Sequence, residues 1–210
     1  MSHAANLAAI AAIAATAATA ETTNLARLRD FVRSFTRLAD QDEERIFVDG
    51  RALLAELVSH DDWLPPRFAA SSPQRYQQYL LHCDPLERFS VTSFVWAPGQ
   101  ATPLHDHTVW GMVGVLRGAE LCEEFVADPS GALTPCGAHR LHAGAIDLVS
   151  PRIGDIHRVS NALLDAVSVS VHVYGANIGR LERHIYDPHS GQPSRFVSGY
   201  ANLVTPNLWL

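Results

Sequence analysis

From Phe89 to Tyr174 the chain is a succession of short β-type runs separated by Gly, Pro, Asn and Asp, and this pattern restricts the fold more than any other feature. Phe89-Ser-Val-Thr-Ser-Phe-Val-Trp96 mixes alternation with β-branched and aromatic residues and stops at Pro98-Gly99. A second apolar run, Val109 to Leu116, is closed by Arg117-Gly118. Shorter runs follow over 120–126, 138–142, 145–149, 157–160 and 167–174. Many short strands with frequent turn signals fit a sandwich or barrel, not a parallel α/β sheet.

Ahead of the strands the texture is helical. Leu25, Leu28, Val32, Phe35 and Leu38 recur at three- and four-residue steps, with Thr23 or Asn24 as candidate N-cap. A second helix is expected over 51–58, ending before Pro65-Pro66, which cannot continue it. A third candidate surrounds Gln74 to His82. The expected organisation is one domain over 22–210, with a helical part at 22–86 and a β-barrel at 87–210. Hydrophobic residues are 47% of the 210 and charged residues 18%, which supplies a sizeable core and excludes a disordered chain.

Residues 1–21 form an alanine-rich leader ending Ala18-Thr19-Ala20, superficially like a secretory cleavage site. No Lys or Arg precedes Arg27, and alanine is too weakly apolar for the run to span a bilayer, so a flexible or marginally helical leader is expected. Three cysteines, Cys83, Cys122 and Cys136, without a CxxC pair suit a reducing cytoplasm. A net charge of -6 and the absence of any Lys/Arg run argue against nucleic-acid and membrane partners. Nothing in the sequence sets an oligomeric state.

His105-Asp106-His107 is the most informative tripeptide. Alternate residues of a strand share a face, so both imidazoles point one way and Asp106 the other. Two ring nitrogens then reach one metal at the ~2 Å that imidazole ligation needs. Further on, Pro151-Arg-Ile-Gly154-Asp-Ile-His157-Arg-Val-Ser-Asn161 places a third histidine after a Pro/Gly turn, at the start of a strand that a barrel brings back beside the first two. Gly99, five residues, His105, one residue, His107, then Gly118 resembles the first cupin motif, and the Pro151–Asn161 stretch resembles the second. Both resemblances imply a cupin (double-stranded β-helix) barrel with a metal on His105, His107 and His157.

One departure from the cupin pattern is informative. Many cupins carry a glutamate a few residues after the HxH, but here Thr108-Val-Trp-Gly-Met112 offers no carboxylate, and Glu120 belongs to the next strand. Three neutral imidazoles leave the full +2 charge on the metal, which draws in an anionic ligand such as a thiolate and keeps it deprotonated.

A cupin with three histidines and no glutamate resembles the thiol dioxygenases, the cysteine dioxygenase group, from roughly Tyr76 to Tyr200. The motifs are His-Asp-His-Thr at 105–108, His-Arg-Val-Ser-Asn at 157–161, and Ser170-Val-His172-Val-Tyr174. Ser170, His172 and Tyr174 share one strand face and are able to form a hydroxyl–imidazole–phenol relay. The resemblance makes them the triad beside one Fe(II), with a small thiol and O2 as partners. Animal members bind the substrate carboxylate through an arginine where this chain has Gln78, and cross-link their tyrosine to a cysteine where it has Gly111. Both exchanges resemble the bacterial 3-mercaptopropionate dioxygenases, in which an arginine matching Arg183 contributes to carboxylate binding. Guanidinium suits that task because it binds carboxylate through two parallel bonds.

The expected activity is therefore oxygenation of 3-mercaptopropionate to the sulfinic acid, with L-cysteine as the first alternative. A cupin that binds a small molecule without turnover is a second class. A zinc or manganese isomerase or hydrolase on the same barrel is a third. Arg158 points away from His157 by alternation, and His3, His60, His82, His139, His142, His184 and His189 are expected to face solvent or bond locally, without forming a second site.

Overall fold

A computed structural model describes residues 25–129 and 131–209; the leader and the candidate caps Thr23 and Asn24 lie outside them. The chain opens with helix α1 (Ala26–Thr36), then α2 (Glu43–Arg45), a π-helical turn (Ile46–Gly50) and α3 (Arg51–Val58). The second helical stretch thus begins earlier than its apolar periodicity indicates, because Asp42 caps it by accepting the Arg45 backbone N–H at 2.8 Å.

Among the described residues eleven strands follow: β1 (Gln77–Cys83), β2 (Ser90–Trp96), β3 (Leu104–His105), β4 (Gly111–Arg117), β5 (Ala119–Ala127), β6 (Leu133–His142), β7 (Ile146–Val149), β8 (Ile156–Asn161), β9 (Ser168–Tyr174), β10 (Arg183–Tyr186) and β11 (Pro193–Phe196). They form two antiparallel sheets, β1-β2-β9-β4-β7 and β11-β10-β3-β8-β5-β6, the mainly β double-stranded arrangement of a cupin.

The helix expected around Gln74 to His82 is instead strand β1. Its buried residues, Gln78 and Leu81, are three apart as on a helix. The spacing arises otherwise: a register shift between Leu80 and His82 in the pairing with β2 interrupts the alternation. Leu81 joins the core under the helices, whereas Gln78 pairs with Phe94, a residue of the barrel-interior cluster.

The central strands of the first sheet, β2, β9 and β4, are buried on both faces. In β9, Val169, Val171 and Val173 pack with Leu28, Phe35, Leu54 and Trp63 in the core beneath the helices. The alternate residues Ser170, His172 and Tyr174 are also buried, on the opposite face. Helices lie close to the sheet: a Cβ at Gly50 would stand 2.9 Å from Met112 and Phe35 side-chain carbons. Phe35 is fully buried with ring centroids 4.9 Å from Phe89 and 6.0 Å from Trp110. Phe35→Ala should therefore destabilise the fold by about 3–5 kcal/mol, read as a lowered denaturation midpoint at unchanged slope. Among the described residues no helix is long and apolar enough to cross a membrane.

Candidate metal centre

The second sheet brings the three histidines together. Residue His105 in β3 pairs directly with His157 in β8, and His107 follows just beyond β3. One ring nitrogen from each falls within 4.8 Å of the others, and all three residues are buried. Ring centroids are 4.7–4.9 Å apart.

The outer nitrogens are each engaged. His105 Nδ1 bonds the Pro103 carbonyl at 3.1 Å, His107 Nδ1 bonds Asp155 Oδ1 at 2.9 Å, and His157 Nδ1 lies 3.5 Å from Cys122 Sγ. Such partners fix the Nε2 lone pairs as the donors available for a metal. Burial, and for His105 and His157 the neighbouring imidazoles, hold these rings below the ordinary imidazole range, so they stay neutral. For His107 the Asp155 carboxylate offsets part of that effect. His107 Nε2 is buried without any partner, which is the fit expected of a ligand atom.

Asp155 was not singled out by the sequence reading. It accepts the backbone N–H of His107 and of Thr108, each at 3.0 Å, besides the imidazole. Thr108 has φ 58°, a left-handed conformation that these bonds help to hold. Its partners lie 47 and 48 residues earlier in the chain, so spacing within Gly154-Asp-Ile-His157 gave no sign of the role. We expect Asp155→Asn to weaken metal binding about 10- to 100-fold, measured by competition with a chelator. Asp106 points away from the imidazoles, accepting from the His184 backbone and ring and from the Tyr186 hydroxyl at 2.8–2.9 Å.

Beside the histidines the relay residues are in contact. Ser170 Oγ is 2.8 Å from His172 Nε2, and His172 Nδ1 is 2.7 Å from the Tyr174 hydroxyl. The Tyr174 ring stacks on His107 at 5.3 Å. Phe94 stacks on His172 at 4.1 Å, and Trp96 Nε1 donates to Ser170 Oγ at 3.4 Å. Burial raises the Tyr174 phenol above its usual range and lowers His172 well below, so both remain uncharged. Gly111 pairs with Tyr174, and a Cβ there would stand 2.8 Å from its ring; a glycine offers no sulfur for a thioether.

Arg183 is buried in β10, its guanidinium 4.7 Å over Phe196 and donating to Ser198 Oγ at 2.9 Å. Its Nε has no partner. Two residues further along β10, Ile185 pairs with His105, and an Arg183 terminal nitrogen lies 3.5 Å from the Asp106 carbonyl oxygen. Gln78 is buried in β1 with Nε2 unpartnered. A cleft of about 260 Å³, bordered by Tyr76, Gln78, Pro103 and Ser198, opens beside them. By contrast, Arg158 is exposed and forks onto Glu123 at 2.7 and 2.8 Å.

His139, expected to face solvent or bond locally, lies 3.0 Å from Asp147. Cys122, His139 and Asp147 form a second set of donor atoms within 4.8 Å of one another. Sequence spacing gave no sign of this, because Asp147 comes from the other sheet.

A barrel of two antiparallel sheets enclosing three converging, neutral histidines defines a metal-binding cupin. The chain belongs to the cysteine dioxygenase type I family, whose model matches residues 12–186. That family comprises thiol dioxygenases dependent on non-haem iron. Similar solved structures include a protein with a double-stranded β-helix domain from Klebsiella pneumoniae (15% identity, 63% of this chain and 87% of that one, TM-score 0.43). Others are a cupin superfamily protein from Desulfitobacterium hafniense (12%, 59% and 88%, 0.39) and a protein of Thermus thermophilus (17%, 53% and 92%, 0.42).

Proposed function

We propose that the protein is a mononuclear Fe(II) thiol dioxygenase acting on a small thiol carboxylate, 3-mercaptopropionate ahead of L-cysteine. The observation that carries this reading is a set of unpaired buried groups. Five buried side-chain N or O atoms among the described residues lack a hydrogen-bond partner, and His107 Nε2, Gln78 Nε2 and Arg183 Nε are three of them. Leaving such a group unpaired costs about 1–3 kcal/mol, and a metal with a carboxylate ligand satisfies all three.

His105, His107 and His157 would hold the iron, which supplies the place where thiolate and dioxygen react so that both oxygen atoms go to sulfur. Arg183 and Gln78 bind the carboxylate, fixing the thiol's orientation. Tyr174 presents a neutral phenol to the reacting groups, held by His172 and Ser170. Trp96, Phe94 and Tyr76 stack at 4.8–5.9 Å and exclude water from that side. The unpaired groups support this order of substrates. Gln78 Nε2 and Arg183 Nε are both donors, so they suit a carboxylate and offer nothing to the ammonium that cysteine adds.

Oxygen uptake by anaerobically iron-loaded protein, offered each thiol separately with sulfinate quantified, tests the proposal. One O2 consumed per sulfinate formed is expected, faster with 3-mercaptopropionate. A large preference for cysteine would overturn the substrate assignment. No uptake with either thiol at full iron occupancy would leave a ligand-binding or non-redox metal cupin.

A further inference from the structure

Strands β5, β6 and β7 gather a second set of metal-type donors beside the three-histidine centre. Cys122 on β5 and His139 on β6 are direct antiparallel partners, so their side chains lie together on one face. Glu124 is two residues along β5 and shares that face. Opposite it stands Gly137, where a Cβ would collide with the Glu124 carboxylate; the glycine leaves the acid room to lie across the strand pair. Asp147 arrives from β7 in the other sheet, its Oδ1 held by the Leu148 backbone N–H at 3.0 Å. Its Oδ2 then meets His139 Nε2 at 3.0 Å. With Cys122 Sγ, one donor atom of each residue falls within 4.8 Å of the others.

A histidine bonded to an aspartate is by itself an ordinary pair. The third donor sets this group apart, because a buried sulfur converges on the pair and completes the S, N and O set that zinc-class cations accept. Bonds of ~2.0–2.3 Å to a tetrahedral ion hold ligand atoms about 3.3–3.8 Å apart, so small side-chain rotations within the existing spacing suffice. Among the described residues the one ion-pair partner of either carboxylate is His139, 3.0 Å from Asp147 and 4.0 Å from Glu124. Arg158, on the neighbouring strand β8, is turned outward onto Glu123. A cavity of about 110 Å³, bordered by Cys122, Glu124, Asp147 and His157, lies against the donors and admits an ion with a water.

We propose that Cys122, His139 and Asp147 bind a second divalent cation of the zinc class, with water in the fourth position. The inference does not depend on the iron or on the thiol dioxygenase reading. His139 Nε2 and Asp147 Oδ2 exchange their mutual bond for bonds to the ion. His139 Nδ1–H is left facing Glu124, a carboxylate placed to orient the ring. Sulfur binds as thiolate: Cys–SH + M²⁺ → [Cys–S–M]⁺ + H⁺. The electron pair of the S–H bond becomes the S–M bond, and the proton passes to solvent. Magnesium and calcium, which take oxygen ligands, are poorly served by this set. Cys122 Sγ also lies 3.5 Å from His157 Nδ1, so the two centres share a wall. His139 and Asp147 have no part in holding the iron, and changes there read the second site separately.

Anaerobic titration of the iron-loaded, substrate-free protein with Co²⁺ tests this. One iron and one cobalt per chain are expected, with a near-ultraviolet thiolate-to-cobalt charge-transfer band that one equivalent of Zn²⁺ abolishes. Three imidazoles give no such band, so cobalt in the iron site does not mimic it. Cys122→Ser should remove the band. His139→Ala and Asp147→Asn should each weaken cobalt binding at least ~10-fold, the least that altering even an outer partner of a metal costs. Both should keep one iron per chain, which shows the barrel intact. Absence of the band in wild type at saturating cobalt would overturn the proposal. So would a band that survives in Cys122→Ser, which would belong to Cys83 or Cys136. Unchanged cobalt affinity in both His139→Ala and Asp147→Asn would overturn it as well, and each of these results leaves the dioxygenase reading intact.

Discussion

His107→Ala should lose iron and thiol oxygenation together, with oxygen uptake down at least ~10³-fold and metal retention after gel filtration reduced to a trace. A three-histidine centre without a carboxylate has no spare protein donor, since Glu120 is committed elsewhere in the barrel. The substitution also strips Asp155 of its imidazole partner and Tyr174 of the ring it stacks on. Iron per chain, measured by emission spectrometry beside turnover, checks this. Full activity at full iron content would refute the three-histidine assignment.

Tyr174→Phe should separate chemistry from binding. Removing one hydroxyl leaves Arg183, Gln78 and the three histidines in place, so KM and iron content should change little. The rate constant kcat should fall about 10²- to 10³-fold, the usual worth of a positioned proton donor or acceptor. His172 Nδ1 would lose its partner inside the barrel, so stability should drop by about 1–3 kcal/mol. Steady-state kinetics at equal iron occupancy give the split; an unchanged kcat would remove the phenol from the reaction.

The sequence revealed the barrel unevenly. Strands β2, β4, β5 and β9 were legible because their branched and aromatic runs are long, and β9 displays its two faces as alternating Val and polar residues. Strand β1 was not, since a bulge gave its buried residues helix-like spacing. Strands β3, β10 and β11 span two to four residues and have too little pattern to detect. At the site, HxH and the later histidine declared themselves through spacing, as did the Ser-His-Tyr alternation. Asp155 did not, because its meaning depends on which strand lies across from it. Gln78 and Arg183, drawn from strands β1 and β10, were placed by resemblance; the fold buries each with an unpaired nitrogen.

Strand β9 interleaves two occupations residue by residue. Val169, Val171 and Val173 clamp the strand to the helical layer, while Ser170, His172 and Tyr174 hydrogen-bond to one another on the other side. A pairing slip of one residue would exchange the faces, pushing valines into the reaction chamber and histidine into oil. Insertions or deletions in this strand are thus forbidden twice over, while point changes on the valine face reach the chemistry only by loosening the clamp. Variation accumulated by this protein should accordingly gather in the turn joining β5 to β6 and the other exposed turns, and leave the length of β9 untouched.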